Sequence, residues 1–498
     1  MRNWVMHCRF ALLLACAFGT GVAARAATPA DANITMYHGD PARSGNFVSP
    51  GLSFQVAKTL HRDRGFAGAV DGAVYAQPLY WHPKGATHGM LIVVTEQNEV
   101  AALDAITGRT IWHVTLGSPV PHSILDCGNI NPLGITGTPV IESQHGALYL
   151  DAMVDRNGTP QQLVFGLNLA SGAVLPGWPV DIQHSLRARG FGFKPQMQNQ
   201  RAALALLDHR VFVAYGGNDG DCGPYHGVIA GLAIDKPGVV AAWRTRGTKG
   251  GIWAPGGISV AGGSLFFTTG NTETGPDWAD GEGVFRLKPN LAATADPDDF
   301  YAPANWKTLD EEDLDMSGVG PLPIDLPGGV HRLLALGKDG EAYLLNRDDL
   351  GGIGGQIADR PAAKSAIVGA MATFPAQSRA IVAFQARRAL CPDGGFSGGL
   401  AAIAITANTI TPMWCAPLDG RGVPIVTTTD SRSDPIVWVD GAQGDDRLHA
   451  YNGDTGAPLY TSAHPIPGVQ HFQTILVADH RLYIAGDGRV TAFTWNPP

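Results

Sequence analysis

The chain has 498 residues, of which 45% are hydrophobic and 16% charged, and its formal net charge is −9 at pH 7. With only 35 lysine and arginine residues it lacks the basic surface that nucleic-acid binding requires, so that function class is excluded. The 64 glycines and 35 prolines are spread between alternating apolar segments, which predicts many tight turns in an all-β fold rather than disorder.

The first 26 residues have the layout of a secretory signal peptide. A short basic segment precedes the apolar residues 10–18, and an Ala-Arg-Ala cleavage site ends at Ala26. An alternative is that Cys16 becomes a lipidated N-terminus. Both interpretations predict a periplasmic or secreted protein, with residues 27–498 as a single domain. No later segment has the roughly 18 consecutive apolar residues of an integral membrane segment.

The clearest local pattern covers residues 91–116, LIVVTEQNEVAALDAITGRTIWHVTL. An apolar strand ends at a polar turn, a second strand with alternating apolar residues follows, and a third strand carries Trp112. Between the second and third strands, Asp104 can accept backbone N–H groups of the turn, and Gly108 supplies a positive φ. One such unit exposes an apolar face that it cannot bury alone, so neighbouring copies must cover it.

Degenerate copies of this unit recur along the chain, and counting them gives eight. The copies begin at Leu91, Ala147, Val211, Leu265, Leu333, Ile381, Ile436 and Leu482. Four strands per copy predict an all-β fold, an eight-bladed β-propeller with four-stranded antiparallel blades. Seven blades, or a pair of β-sandwiches, are the alternatives. We expect an early segment such as Thr35–Tyr37 to complete the last blade, because joining both chain ends in one blade protects the sheet edges.

Removal of the signal peptide leaves four cysteines, Cys127, Cys222, Cys391 and Cys415. An even number of cysteines in an oxidising compartment predicts two disulfides, for which three connectivities exist. Cys391 with Cys415 is the most local pairing, and it would leave Cys127 with Cys222.

The segment LDAITGRTIW resembles the repeat of pyrroloquinoline-quinone (PQQ) propeller proteins, and the resemblance covers nearly the whole mature chain. It implies the same propeller architecture. It does not imply one function, since such blades occur both in quinone-dependent alcohol dehydrogenases and in non-catalytic scaffolds of outer-membrane assembly.

Several segments are similar to the cofactor site of quinoprotein alcohol dehydrogenases. In GGIWAPGG, Trp253 resembles the tryptophan that forms the floor under the quinone, and a flat ring system packs well on such a face. In FFTTGN, Asn271 resembles the asparagine whose amide oxygen binds Ca²⁺ beside the quinone. In LGKDGEAYLLNR, Lys338 resembles the lysine that contacts and polarises the quinone oxygens.

In LDEEDLDMSGVG, Asp315 is closest to the family's catalytic aspartate, which accepts the substrate's hydroxyl proton while hydride passes to the quinone. Asp313 is a near alternative. The resemblance implies Asp315 and Lys338 as catalytic residues, Trp253, Asn271 and Lys338 as PQQ-binding residues, and Asn271 with Asp315 as calcium ligands. The structural alternatives are a blade-core tryptophan, a turn asparagine and a solvated acidic loop.

Other positions depart from the family pattern. DCGNINPLGI has Cys127 followed by Gly128, where the dehydrogenases have two adjacent cysteines above the quinone, and Leu133 replaces the arginine that follows. In DCGPYHG, Cys222 stands in place of a metal-binding glutamate, and His226 replaces an arginine. A cysteine is a poor ligand for Ca²⁺. A disulfide between Cys127 and Cys222 would link blades covalently near the mouth of the channel. It would also occupy part of the space in which the family binds the quinone.

These observations leave three functions open. The first is a PQQ- and Ca²⁺-dependent dehydrogenase that oxidises an alcohol or sugar hydroxyl. Because there is no CxxCH motif for a covalently attached haem, it would pass electrons to a separate acceptor. The second is a non-catalytic propeller that binds a glycan or an envelope protein. The third is a polysaccharide lyase or hydrolase, in which Tyr225, His226, Lys338 and His471 supply acid and base. We expect a small-molecule or glycan ligand at the central channel.

Overall fold

A computed structural model of the protein describes residue 1, residues 28–29, 33–273 and 275–495. The predicted cleavage site and Cys16 lie outside these residues. The described ranges contain short helices, namely α1 (Phe54–Ala57), α2 (Ile182–Arg187), α3 (Trp306–Glu312) and the 3₁₀ turns His122–Ile124, Pro297–Asp299 and Met316–Gly318. None of the helices in these ranges is long and apolar enough to cross a membrane.

The strands form eight sheets of four antiparallel strands each, which are the blades of a β-propeller. The prediction of eight blades is confirmed, and the alternatives of seven blades or two β-sandwiches are wrong. Each predicted copy of the repeat begins within three residues of the start of a blade's second strand. The strand periodicity was therefore read correctly for the whole ring.

Blades 1 to 4 occupy the first half of the chain. Their strands are, in blade 1, Leu79–Trp81, Met90–Val94, Glu99–Asp104 and Thr110–Thr115; in blade 2, Val140–Glu142, Ala147–Asp155, Pro160–Asn168 and Val180–Asp181; in blade 3, Ala205–Leu207, Arg210–Gly217, Val228–Ala233 and Val239–Arg244; and in blade 4, Ser259–Ala261, Ser264–Thr268, Val284–Leu287 and Phe300–Ala302.

Blades 5 to 8 follow in the same way. Their strands are, in blade 5, Leu322–Leu326, Val330–Leu336, Glu341–Asn346 and Ala358–Pro361; in blade 6, Ala372–Ala376, Arg379–Leu390, Phe396–Ile405 and Ile410–Pro417; in blade 7, Ile425–Thr428, Ile436–Asp440, Leu448–Asn452 and Pro458–Thr461; and in blade 8, Leu476–Ala478, Arg481–Gly486, Arg489–Thr494 and His61–Arg62.

Short accessory strands lie beside or between the blades. Thr28–Pro29 and Asn46–Val48 extend blade 7 in parallel, Gly352–Ile353 extends blade 4, Gln198–Asn199 pairs with blade 3, and Thr248–Lys249 pairs with Thr272–Glu273.

The ring closes through a strand from the beginning of the chain. His61–Arg62 pairs antiparallel with Arg489–Thr494 and completes blade 8. The expectation that an early segment closes the last blade is confirmed, but the choice of Thr35–Tyr37 is wrong. That segment runs along the inner strands of blades 1 and 2, where the carbonyl of Thr35 accepts the N–H of Ile141 at 2.8 Å.

Neighbouring blades dock through tryptophans that cover glycine turns. Trp112, in the fourth strand of blade 1, lies over the turn of blade 2 at Gly172, and its indole N–H donates to a carbonyl of that blade at 3.2 Å. Trp414 of blade 6 repeats the contact at Gly456 of blade 7, with an indole hydrogen bond of 2.7 Å. A Cβ at Gly172 would lie 2.6 Å from the Trp112 ring, so glycine is required for this contact.

A side chain holds the turn between the third and fourth strands in several blades. Oδ1 of Asp104 accepts the N–H groups of Ile106 at 3.0 Å and Thr107 at 2.7 Å, and Gly108 has a φ of 67°. Asn168 and Asn452 accept the corresponding N–H groups in blades 2 and 7. The role assigned to Asp104 from the sequence is confirmed, and asparagine can fill it.

We predict that Asp104→Ala lowers the free energy of unfolding by about 1–3 kcal/mol, because the turn loses its side-chain acceptor. Asp104→Asn is the matched control, and we expect it to stay within about 0.5 kcal/mol of the wild type, since it loses only a partly exposed contact to His88. Urea unfolding followed by circular dichroism measures both. Equal losses in the two variants would contradict the assignment.

Candidate functional site

Trp253 lies in the segment that leads from blade 3 into blade 4. The residues before it approach the neighbouring blade closely: a Cβ at Gly251 would lie 3.2 Å from the Cα of Gly216 and 3.1 Å from the hydroxyl of Tyr225. The carbonyl of Gly251 accepts the N–H of Gly270 at 3.0 Å. The glycines thus allow three backbone segments to meet, and they leave the Trp253 ring partly exposed beside them.

Asp315 and Lys338 form an ion pair next to this tryptophan. Nζ of Lys338 lies 2.6 Å from Oδ2 of Asp315, 3.3 Å from Oδ2 of Asp313, and 5.4 Å from the ring centroid of Trp253, within the range of a cation–π contact. Oδ1 of Asp315 accepts the backbone N–H of Asn271 at 2.9 Å. The structure therefore brings Trp253, Asn271, Asp315 and Lys338 together in one site.

Asn271 is fixed through its backbone. Besides the bond to Asp315, its carbonyl accepts the N–H of Gly250 at 2.7 Å. Within the described residues its side-chain amide has no hydrogen-bonded partner and is partly exposed. An amide held in place in this way can both donate to and accept from a bound molecule.

A second carboxyl group is buried beside the ion pair. Glu282 is 0% exposed, and its Oε2 accepts the N–H of Met316 at 2.6 Å, one residue after Asp315. Its Oε1 is also buried and has no hydrogen-bond partner among the described residues. The sequence analysis did not single out Glu282, because a lone glutamate in a glycine-rich turn carries no recognisable pattern.

Burial and the neighbouring charges set the protonation of these groups. Burial, followed by the negative charge of Asp315, raises the pKa of Glu282 well above its ordinary value. Burial also raises the pKa of Asp315, while Lys338 lowers it. Burial lowers the pKa of Lys338, but Asp315 and Asp313 outweigh it and the pKa is raised overall. Lys338 therefore stays a cation that pairs with Asp315, and burial favours the protonated form of Glu282.

A second charged cluster lies on the neighbouring segments. Nζ of Lys249 lies 3.0 Å from Oε1 of Glu273 and 3.5 Å from Oδ2 of Asp221. The hydroxyl of Tyr225 donates to Oδ1 of Asp221. Nδ1 of His226 faces the carbonyls of Thr245 and Gly247 at 3.0 and 2.7 Å, which fixes its ring. Asp221 is thus already engaged by Tyr225 and Lys249.

Two disulfides are present, Cys127–Cys222 and Cys391–Cys415. The first joins the connection between blades 1 and 2 to the hairpin loop of blade 3. Leu133 is 2% exposed and packs in an apolar cluster with Val120 and Met153. Cys391–Cys415, the most local pairing, is observed, and so is Cys127–Cys222, the pair that it leaves. Leu133 belongs to the apolar core of the connection between blades 1 and 2.

The residues present do not fit a calcium ion. Ca²⁺ takes six to eight oxygen ligands, whereas Cys222 is a disulfide cysteine and both oxygens of Asp315 are already used by Lys338 and Asn271. Glu282 also directs one oxygen at a backbone N–H. Across the described ranges, no three histidine, cysteine, aspartate or glutamate side chains are arranged to hold a metal ion.

The quinone fits only in part. The face of Trp253, the Lys338 ammonium and the amide of Asn271 are groups that could contact a flat, oxygen-rich ring system. Cys127 and Cys222, which the sequence resemblance matches to the family's paired cysteines and metal carboxylate, instead form a disulfide with each other. We therefore derive no chemical step through a quinone or a metal.

No protein-family model matches the sequence, and no curated protein matches it in sequence. Solved structures do share its fold. A quinohemoprotein alcohol dehydrogenase from Comamonas testosteroni is 15% identical with a TM-score of 0.63, and the match covers 94% of this chain and 81% of that protein. Another from Pseudomonas putida HK5 is 13% identical with a TM-score of 0.62, covering 94% and 80%.

A europium-containing methanol dehydrogenase is 13% identical with a TM-score of 0.61, and the match covers 91% of this chain and 90% of the dehydrogenase. The protein therefore shares the propeller fold of these three dehydrogenases. At these identities the likeness shows the fold alone, so the activity must be argued from the site of this chain.

We predict that Glu282→Gln reduces the pH dependence of stability. The folded protein keeps the proton of Glu282 to higher pH than the unfolded chain, so stability falls as pH rises from the ordinary glutamate pKa through the raised one. Replacing the carboxyl group with a neutral amide removes this pH-dependent contribution to stability. The fall in the thermal midpoint between about pH 5 and pH 9 should become smaller. Glu312→Gln, exposed in α3, is the control and should leave the profile unchanged. Identical profiles for wild type and Glu282→Gln would contradict the buried proton.

We also predict that the two disulfides differ in their contribution to stability. Cys127 and Cys222 are 95 residues apart, against 24 for the other pair. In the loop-entropy account, replacing both Cys127 and Cys222 with alanine costs about 4–5 kcal/mol, roughly 1 kcal/mol more than replacing Cys391 and Cys415. Denaturant midpoints of the two double variants test this, and a larger loss from the shorter loop would argue against it.

Proposed function

We propose that this protein is an exported propeller that binds a small hydroxylated molecule, such as a sugar, against Trp253, Asn271, Asp315 and Lys338. The observation that carries the proposal is the largely buried Asp315–Lys338 ion pair beside the partly exposed ring of Trp253. Burying charged groups is costly unless they serve a purpose such as ligand binding, and such groups concentrate at functional sites.

Each residue has a role that its contacts support. The Trp253 ring offers an apolar face for the carbon skeleton of the ligand, while the Lys338 ammonium donates to a ligand hydroxyl. The free amide of Asn271 donates and accepts beside it. Asp315 accepts from a hydroxyl and holds Lys338 in place, and Glu282 keeps a proton close to Asp315.

Export is part of the proposal, because the signal peptide lies outside the described residues. It is supported by the two disulfides, since disulfides form and persist in oxidising compartments. Whether the N-terminus is cleaved at Ala26 or lipidated at Cys16 remains a prediction from the sequence.

Calorimetric titration with a panel of neutral monosaccharides and short oligosaccharides tests the binding role. We expect a member of the panel to bind the wild type, and Lys338→Met and Trp253→Ala to weaken it at least about tenfold, the loss of one charge-assisted hydrogen bond or one stacking contact. Lys307→Met, exposed in α3, is the control and should bind as the wild type does. No binding by the wild type, or equal binding by Lys338→Met and Lys307→Met, would overturn the proposal.

A second candidate is the PQQ-dependent dehydrogenase that oxidises an alcohol or sugar hydroxyl and passes electrons to a separate acceptor. It is favoured by the convergence of Trp253, Asn271, Asp315 and Lys338, which the resemblance matched one by one. It is disfavoured by the Cys127–Cys222 disulfide and by the absence of a fitting donor set for calcium among the described residues.

Titration with PQQ, with and without Ca²⁺ or a lanthanide, separates the two candidates. The binding role predicts that sugar binding is unchanged by a chelator and that PQQ with either metal supports no reduction of an artificial dye. Micromolar PQQ binding together with dye reduction in the presence of an alcohol would establish the dehydrogenase instead.

A further inference from the structure

One residue of every blade occupies the same position around the channel, four residues before the first strand of that blade. First strands contact each other from blade 2 through blade 5, between blades 6 and 7, and between blades 8 and 1, so these positions surround a common axis. We call them the channel ring, and its members are Tyr75, Thr136, Arg201, Pro255, Gly318, Val368, Arg421 and Phe472.

Members of the channel ring line one recess, together with Tyr37 and His471. Five blades contribute to its wall, which confirms that equivalent positions face the same space. The recess holds about 280 Å³ of empty space, its open part included. Because this figure includes open solvent, it is an upper bound on the space that a ligand could fill inside the recess.

The channel ring carries two arginines and no acid. The guanidinium of Arg201 lines the recess, and within the described residues it has neither a hydrogen-bond acceptor nor an ion-paired carboxylate. Its central carbon lies 5.9 Å from the centre of the Phe472 ring. An arginine stays charged in proteins, so Arg201 presents a cation and unused donors to the recess.

The rest of the wall is aromatic and uncharged. The ring of His471 lies 5.6 Å from that of Tyr75 and 4.6 Å from that of Phe472. Burial, together with Arg201 and Arg421, lowers the pKa of His471 to about 4, so it is neutral at pH 7. The hydroxyl of Tyr37 is buried and has no hydrogen-bond partner in the described part of the chain. The guanidinium of Arg201 and the unpaired hydroxyl of Tyr37 thus lie among the aromatic rings of the recess.

We propose that the channel ring is a binding site for a small planar organic carboxylate. The carboxylate pairs with the fork of Arg201, whose geometry matches it, and one of its oxygens accepts from Tyr37. The flat body of the ligand packs against Tyr75, His471 and Phe472. A phosphate or sulfate satisfies the arginine equally well but makes no use of the aromatic walls.

This site adjoins the one proposed above but uses different residues. A Cβ at Gly318 of the channel ring would lie 3.5 Å from Cη2 of Trp253, and Pro255 follows Trp253 by two positions. Because Lys338 and Asp315 take no part in the carboxylate site, loss of sugar binding and loss of carboxylate binding are separate outcomes.

The test is calorimetric titration of the full mature chain with benzoate, with benzyl alcohol as its neutral counterpart and sulfate as an inorganic anion. We expect benzoate to bind the wild type with a Kd of about 1 mM or tighter, and benzyl alcohol and sulfate to bind at least about tenfold more weakly. Arg201→Gln should weaken benzoate at least about tenfold. Arg432→Gln, which removes an exposed arginine, is the matched control and should not change it.

Folding of the variant is checked by its thermal midpoint without ligand. Arg201 forms no ion pair within the described residues and feels Glu96 and Asp219 only at longer range, so Arg201→Gln should change the thermal midpoint little. Arg201→Lys keeps the positive charge but loses the planar guanidinium that can donate two parallel hydrogen bonds, so it should bind benzoate with intermediate affinity. Benzoate binding that is absent in the wild type, unchanged in Arg201→Gln, or no tighter than that of benzyl alcohol or sulfate would overturn the proposal.

Discussion

Every blade depends on its neighbours, because a four-stranded sheet with apolar residues on both faces cannot bury them alone. Apolar clusters therefore lie between blades, as where residues of blades 1 and 2 form one cluster and residues of blades 3 and 4 another. Trp112 and Trp414 add a directional contact by covering a glycine turn of the next blade. The ring must close for the same reason, and His61–Arg62 closes it. A closed ring then fixes the relative positions of the segments that carry the site.

The site contains buried charged groups that the fold itself does not require. An ion pair whose Asp315 is 4% exposed, with a second carboxyl group beside it, is at best neutral for stability compared with apolar residues of the same size. Burial and the charge of Asp315 raise the pKa of Glu282, so its protonated form is favoured beside the ionised Asp315. This arrangement resembles a binding site kept ready for polar groups of a ligand. In the same region the Cys127–Cys222 disulfide joins the connection between blades 1 and 2 to the hairpin loop of blade 3.

The architecture was largely predictable, because strand alternation and the turn at Asp104 repeat eight times and each copy supports the others. The closing strand was not, since His61–Arg62 is two residues long and a two-residue strand has no periodicity. The meeting of Trp253, Asn271, Asp315 and Lys338 could be expected only from resemblance, as they are far apart in sequence. Glu282 and Arg201 were missed, because their importance comes from burial and from missing partners, which become visible only when the blades are assembled.

The channel ring has a consequence for how this protein can change. Each of its positions belongs to a different blade and lies outside the strands that pack between blades. A single substitution there alters the lining of the channel while the interfaces that hold the ring remain as they are. Ligand preference and architecture can therefore diverge independently, one blade at a time. The solved structures that share this fold at 13–15% identity show that the blade architecture persists while most residues change.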